Sequence, residues 1–140
     1  MLNKTFVLAG RASFVVESPK GESVTVKVTK SKPFVSRSGR TFPPSFFVSV
    51  RYQNDAWQYL GFVKPTDPAL TITPTAKSVL SATDRVTKIA QWALGLVATE
   101  TPAPTGYRLA HTGKCGRCGK MLRDETSLAR GIGPDCWEMI

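Results

Sequence analysis

The sequence predicts an α+β protein: a small antiparallel β-rich domain with one packed amphipathic helix, followed by a C-terminal zinc-finger-like module. Three observations carry this. Several segments before residue 64 alternate apolar and polar residues with period two, as half-buried strands do. One later stretch repeats its apolar residues at helical spacing. All three cysteines and the one histidine fall in the last thirty residues. On this pattern the chain divides into a basic β-rich domain with its helix (1–100), a Pro-rich linker (101–106) and a metal-binding module (107–140).

The run Phe6-Val-Leu-Ala and then Phe14-Val-Val has strand composition, with Gly10 as a bulge or bend between the two parts. Ser18-Pro-Lys-Gly21 supplies turn chemistry, because Pro19 fixes its own φ and Gly21 is free to take a positive one. Ser23 to Thr29 alternates cleanly, with Val24, Val26 and Val28 on one face. Phe46 to Tyr52 alternates again, and Asn54-Asp55 turns the chain into Trp57–Val63, giving a second hairpin. Leu70 to Pro74 suits a short edge strand, where proline is tolerated.

Ser81–Asp84 resembles a helix start, and Val86, Ile89, Ala90, Ala93, Leu94 and Val97 then share one face. Packing across the sheet is the default reading of that face. A partner-binding or membrane-surface helix is the sharper one, but Trp92 and Leu96 widen the apolar stripe as burial would.

Between the hairpins, Lys30 to Pro44 is rich in Pro, Gly, Ser and cations and contains no acidic residue. Two readings compete. In one it is a basic loop that touches phosphate through Lys30, Lys32, Arg37 and Arg40 and stacks Phe34 and Phe42 on bases. In the other, the default for such a stretch, it is a solvated connection whose phenylalanines fold back onto the core. Tyr52, Trp57 and Tyr59 pose the same choice between an aromatic platform and ordinary cross-strand packing, and packing is again the default.

The C-terminal module starts from Cys115-Gly-Arg-Cys118-Gly. Two thiolates separated by two residues, with glycines that allow a tight turn, can point both sulfurs at one ion. His111 and Cys136 complete a closed tetrahedral shell for one structural Zn²⁺. His111 is the weakest member, and Asp135 or a water can take its place. An odd number of cysteines argues against a disulfide framework. Between the ligands, Asp124 caps a short helix that Gly131 ends, and Pro134 opens a second helix carrying Cys136.

The string His111-x3-Cys115-Gly-x-Cys118-Gly-Lys, then Leu122, Asp124, Ser127 and Gly131-x-Gly133-Pro134-x-Cys136, resembles a small zinc-binding module of phage and bacterial proteins of uncharacterised function. This chain has Lys120, Arg123 and Glu125 where that module has arginine, threonine and proline, and none of these is a ligand position. Leu8-Ala-Gly10-Arg and Tyr59-Leu-Gly61 are more distantly similar to the opening and to a recurring motif of the same proteins. The resemblance implies zinc and a phage-like origin, and it implies no activity.

Nineteen basic against ten acidic residues give a formal charge of +9, which points to a polyanionic partner. Most of the excess lies before the metal module. No apolar run is long enough to cross a bilayer and no signal pattern opens the chain, so the expected location is cytoplasmic, in the host cell if the protein is phage-encoded, with no membrane partner. No catalytic motif is present: no HExxH helix, no GxSxG elbow, no phosphate-cradling glycine loop and no zinc-deaminase signature. The expected role is therefore non-enzymatic. The leading reading is a nucleic-acid-binding accessory protein, with Lys114, Arg117, Lys120 and Arg123 of the module joining the four cations of the basic stretch. The alternative is a phage-type inhibitor or adaptor docking on a host or viral protein.

Overall fold

The computed structural model describes residues 2–81 and 83–140. The Asn3 side chain accepts a hydrogen bond from the Phe6 N–H and caps a short helix, α1 (Lys4–Val7), which buries Phe6 and Val7. The expected strand over this run is thus a single helical turn, and β1 (Arg11–Glu17) starts only after Gly10. Four residues are too few to show a period of 3.6, so composition alone misled; the capping Asn3 was the local signal.

A five-stranded antiparallel sheet forms the body, in the order β6 (Gln58–Val63), β5 (Phe46–Tyr52), β2 (Ser23–Lys30), β1 and β7 (Arg108–His111). Register follows the alternation: Val24, Val26 and Val28 pair with Tyr52, Val50 and Val48, so these side chains share one face. The helix α2 (Arg85–Ala98) lies on that face. Asp84 accepts from the Val86 N–H as its cap, and Ala90, Ala93, Leu94 and Val97 are buried against the sheet valines. Of the expected helix start, Ala82 lies outside the described residues. Helical periodicity and strand alternation therefore converge on one α-on-β core.

Leu70–Pro74 is less than a strand. Thr73 exchanges both backbone hydrogen bonds with Phe62, and Leu70 and Ile72 plug the sheet edge. The approach is close: a Cβ on Gly61, whose φ is +150°, would lie 2.2 Å from the Thr73 carbonyl oxygen. Gly61→Ala is expected to break this bridge and lower stability by about 1–3 kcal/mol, read as the shift in a denaturation midpoint. An unchanged midpoint would show that the approach is not constrained.

The basic stretch extends the β2–β5 ladder outward. The Ser31 N–H donates to the Ser45 carbonyl (2.8 Å), and β3 (Phe34–Val35) then pairs with β4 (Thr41–Phe42) in a separate two-stranded hairpin. Phe34 and Phe42 are 62% and 39% exposed. The default expectation that they fold back onto the core is overturned, because cross-strand pairing to each other, at 6.0 Å between ring centroids, holds them on an arm beyond the core's reach.

The C-terminal segment is not set apart from the sheet. Beyond the Pro-rich stretch, β7 pairs with β1, and Cys115, Leu122, Ile132 and Cys136 belong to the same apolar cluster as the sheet valines. Phe6 fills the joint. Cβ atoms on Gly116 and Gly131 would stand 2.8 and 2.7 Å from its ring, and the Arg11 N–H donates to the Gly116 carbonyl (2.7 Å). A boundary at 101–106 therefore marks a change in local composition but does not divide the core.

Candidate functional site

Cys115 and Cys118 sit in a tight turn. The Gly119 N–H donates to the Cys115 carbonyl (2.9 Å), the Cys115 N–H to the Lys120 carbonyl (2.7 Å), and Lys114 bridges Met121. The third cysteine arrives by way of two short helices. In α3 (Glu125–Arg130), Asp124 accepts from the Ser127 N–H and Gly131 closes the helix in the left-handed conformation; α4 (Pro134–Glu138) follows Gly133 and buries Cys136. The hydrogen bond from the Ser127 N–H (2.9 Å), backed by the Arg130 charge, holds the Asp124 carboxyl below its usual pKa.

The ligand atoms of Cys115, Cys118 and Cys136 all lie within 4.8 Å of one another. Sulfurs bound tetrahedrally to one ion at the zinc–thiolate bond length stand about 3.8 Å apart, so a small contraction seats an ion among them. The backbone is arranged to carry negative charge there. The N–H groups of Gly133 (3.3 Å) and Arg117 (3.4 Å) donate to Cys115 Sγ. Burial pushes the Cys115 thiol up, but these amides and that of Cys118 outweigh it and bring its pKa down to about 7. Burial raises the Cys136 thiol, while the Arg117 guanidinium, 3.5 Å from its sulfur, acts in the opposite direction. Three soft ligands of this kind form a group able to bind a metal ion.

His111, expected as the fourth ligand, is not in the group. Its position in β7 opposite Phe14 turns the ring onto the core face, 6.0 Å from the Phe6 ring. There Nδ1 accepts from the Gly113 N–H (2.9 Å) and Nε2 donates to the Leu128 carbonyl, so both nitrogens are engaged. The histidine ties β7 to α3, and the free side of the cysteine group instead faces a cleft of about 310 Å³ lined by Lys120, Met121, Asp124 and Asp135. Asp135 borders this cleft without joining the group.

Of the cations expected to meet phosphate, Lys30, Lys32, Arg37 and Arg40 are exposed along the arm, and Arg40 lies over the Phe42 ring at 5.0 Å. Lys114, Lys120 and Arg123 are exposed on the C-terminal segment. Arg117 is half-buried, its guanidinium directed at Cys136 and Met139, so it serves the cysteine group. Tyr52 parts from Trp57 and Tyr59: it lies with the core-facing residues, whereas Lys27 and Arg51 stack on Trp57 on the opposite face. Phe47, which the sequence reading did not single out, joins Tyr59 there at 6.1 Å between centroids. The signal was available in the alternation of β5, which sets Phe47, Ser49 and Arg51 against the core-facing residues.

Fold and site together define a small α+β protein whose antiparallel sheet carries a three-cysteine group suited to metal. Residues 110–140 match a family of unknown function (DUF6011), a span that takes in all three cysteines and leaves most of the sheet outside it. No curated protein and no solved structure matches the chain.

Proposed function

We propose that the protein is a nucleic-acid-binding accessory protein of the kind phages encode, acting in the host cytoplasm, with one zinc ion that is structural and not catalytic. The observation that carries the reading is the arm. Its Lys30, Lys32, Arg37 and Arg40 stand in solvent around two exposed phenylalanines, with no acidic residue between Lys30 and Pro44. Cations in this setting release condensed counterions from a phosphate backbone, and flanking rings suit unstacked bases. Cys115 and Cys136 belong to the same buried cluster as the sheet valines, which supports a scaffolding role for the ion, and its fourth position opens on the cleft that Asp135 and Lys120 line.

The test is a binding isotherm across salt concentrations. Affinity for DNA or RNA should fall about tenfold or more from low to physiological salt, and Arg37→Ala and Arg40→Ala should each weaken binding and flatten the salt slope. No binding at low salt would refute the reading. It would favour a second one, docking on a host or viral protein, for which Met121, Leu128, Trp137 and Met139 offer exposed apolar side chains on the C-terminal segment.

A further inference from the structure

We propose that the sheet face turned away from α2 is a second nucleic-acid site, one that selects single strands by stacking bases on Phe47 and Tyr59; this rests on the nucleic-acid reading above. The sheet register places Lys27, Phe47, Arg51 and Tyr59 on that face: Lys27 pairs with Ser49, which pairs in turn with Tyr59, and all stand opposite the valines that meet α2. Phe47 and Trp57 are 36% and 39% exposed, although neighbouring aromatic residues of a β-sheet ordinarily lie in a core.

The residues divide the work. Lys27 Nζ lies 4.2 Å and the Arg51 guanidinium 5.1 Å from the Trp57 ring, so the indole is engaged in holding two cations at the surface. Phe47 and Tyr59, edge to face, are left as the stacking pair, with the two charges beside them where a sugar–phosphate chain would run. Arg51 Nε is buried and has no hydrogen-bond acceptor among the described residues.

Chemistry favours this occupant over two others. A protein interface is depleted of charge at its centre, whereas here Lys27 and Arg51 share the face with the rings. A duplex keeps its bases stacked inside, so a flat aromatic face gains only phosphate contacts from it. Glu17, at the end of β1 on this face, pairs with Arg108 at 3.5 Å.

The experiment uses the full chain and labelled oligo-dT, oligo-U and a mixed-sequence duplex, read by fluorescence anisotropy. Phe47→Ala and Tyr59→Ala should each weaken binding to both single strands by about fivefold to a hundredfold and leave the duplex within about twofold, while Tyr59→Phe retains the wild-type affinity. Thermal melts confirm that each variant is folded, and Lys27→Ala, which removes no ring, should lower the salt slope for the same single strands. Equal losses for single strand and duplex would overturn the proposal. So would wild-type affinity in both ring variants, and if Arg37→Ala and Arg40→Ala still weakened binding, the arm reading would survive alone. No binding of any probe by the wild-type chain would remove both.

Discussion

Stripping the metal with a chelator, or replacing Cys115 with serine, is expected to melt the sheet along with the C-terminal segment in one transition. Structural zinc in isolated finger peptides contributes about 10–16 kcal/mol of apparent binding energy, which in a free-standing finger is felt by the finger alone. Here Cys115, Ile132 and Cys136 belong to the same buried cluster as Val26 and Leu94, and β7 is hydrogen-bonded into the sheet. Loss of the ion should therefore lower the melting temperature of the whole chain by on the order of 10 °C or more. Circular dichroism melts with and without chelator, beside elemental analysis for about one zinc per chain, decide it. Two separate transitions, with the sheet melting where it did before, would show that the metal supports only its own surroundings; a metal-free chain of unchanged stability would remove zinc from the account.

Phe6→Ala should be the most damaging substitution away from the cysteines, at about 3–5 kcal/mol. The ring is 1% exposed and touches the positions of Gly116 and Gly131, each of which lacks a side chain where the ring lies. Truncation leaves a cavity between α1, the cysteine turn and the end of α3, so the loss of stability should come with weaker metal binding. Gly116→Ala alone should also destabilise, because its Cβ would meet the ring at 2.8 Å. In the Phe6→Ala background the same methyl enters vacated space, so the double variant should be less damaged than the sum of the two. Additive losses in a double-mutant cycle would show that ring and glycine do not share this space.

What the sequence disclosed follows the length of each pattern. β2 and β5 alternate over seven residues or more and α2 repeats over several turns, so their faces could be assigned, down to Val24, Val26 and Val28 against Ala90 and Leu94. The Asp124 cap, the Gly131 stop and the Pro134 start were legible because each rests on one residue's own backbone chemistry. β7 was not: Arg108-Leu-Ala-His is too short to alternate convincingly, and it becomes a strand because the β1 edge is there to pair with. The same pairing explains His111. Its spacing before Cys115 suits a ligand, but strand register decides which way a side chain points, and register is a long-range property. The arm was misjudged for a related reason, since the Phe34–Phe42 pairing continues outward from the ladder between β2 and β5, a long-range contact.

The contact between Phe6 and the turn at Gly116 has a consequence for the order in which a ribosome delivers the parts. A nascent chain emerges from its N-terminus, so α1 must wait with its aromatic side chain uncovered until the cysteine turn, more than a hundred residues later in the sequence, has followed it out. Chains truncated before Cys115 should accordingly be digested readily by protease, whereas the chain carried through Cys136 should resist.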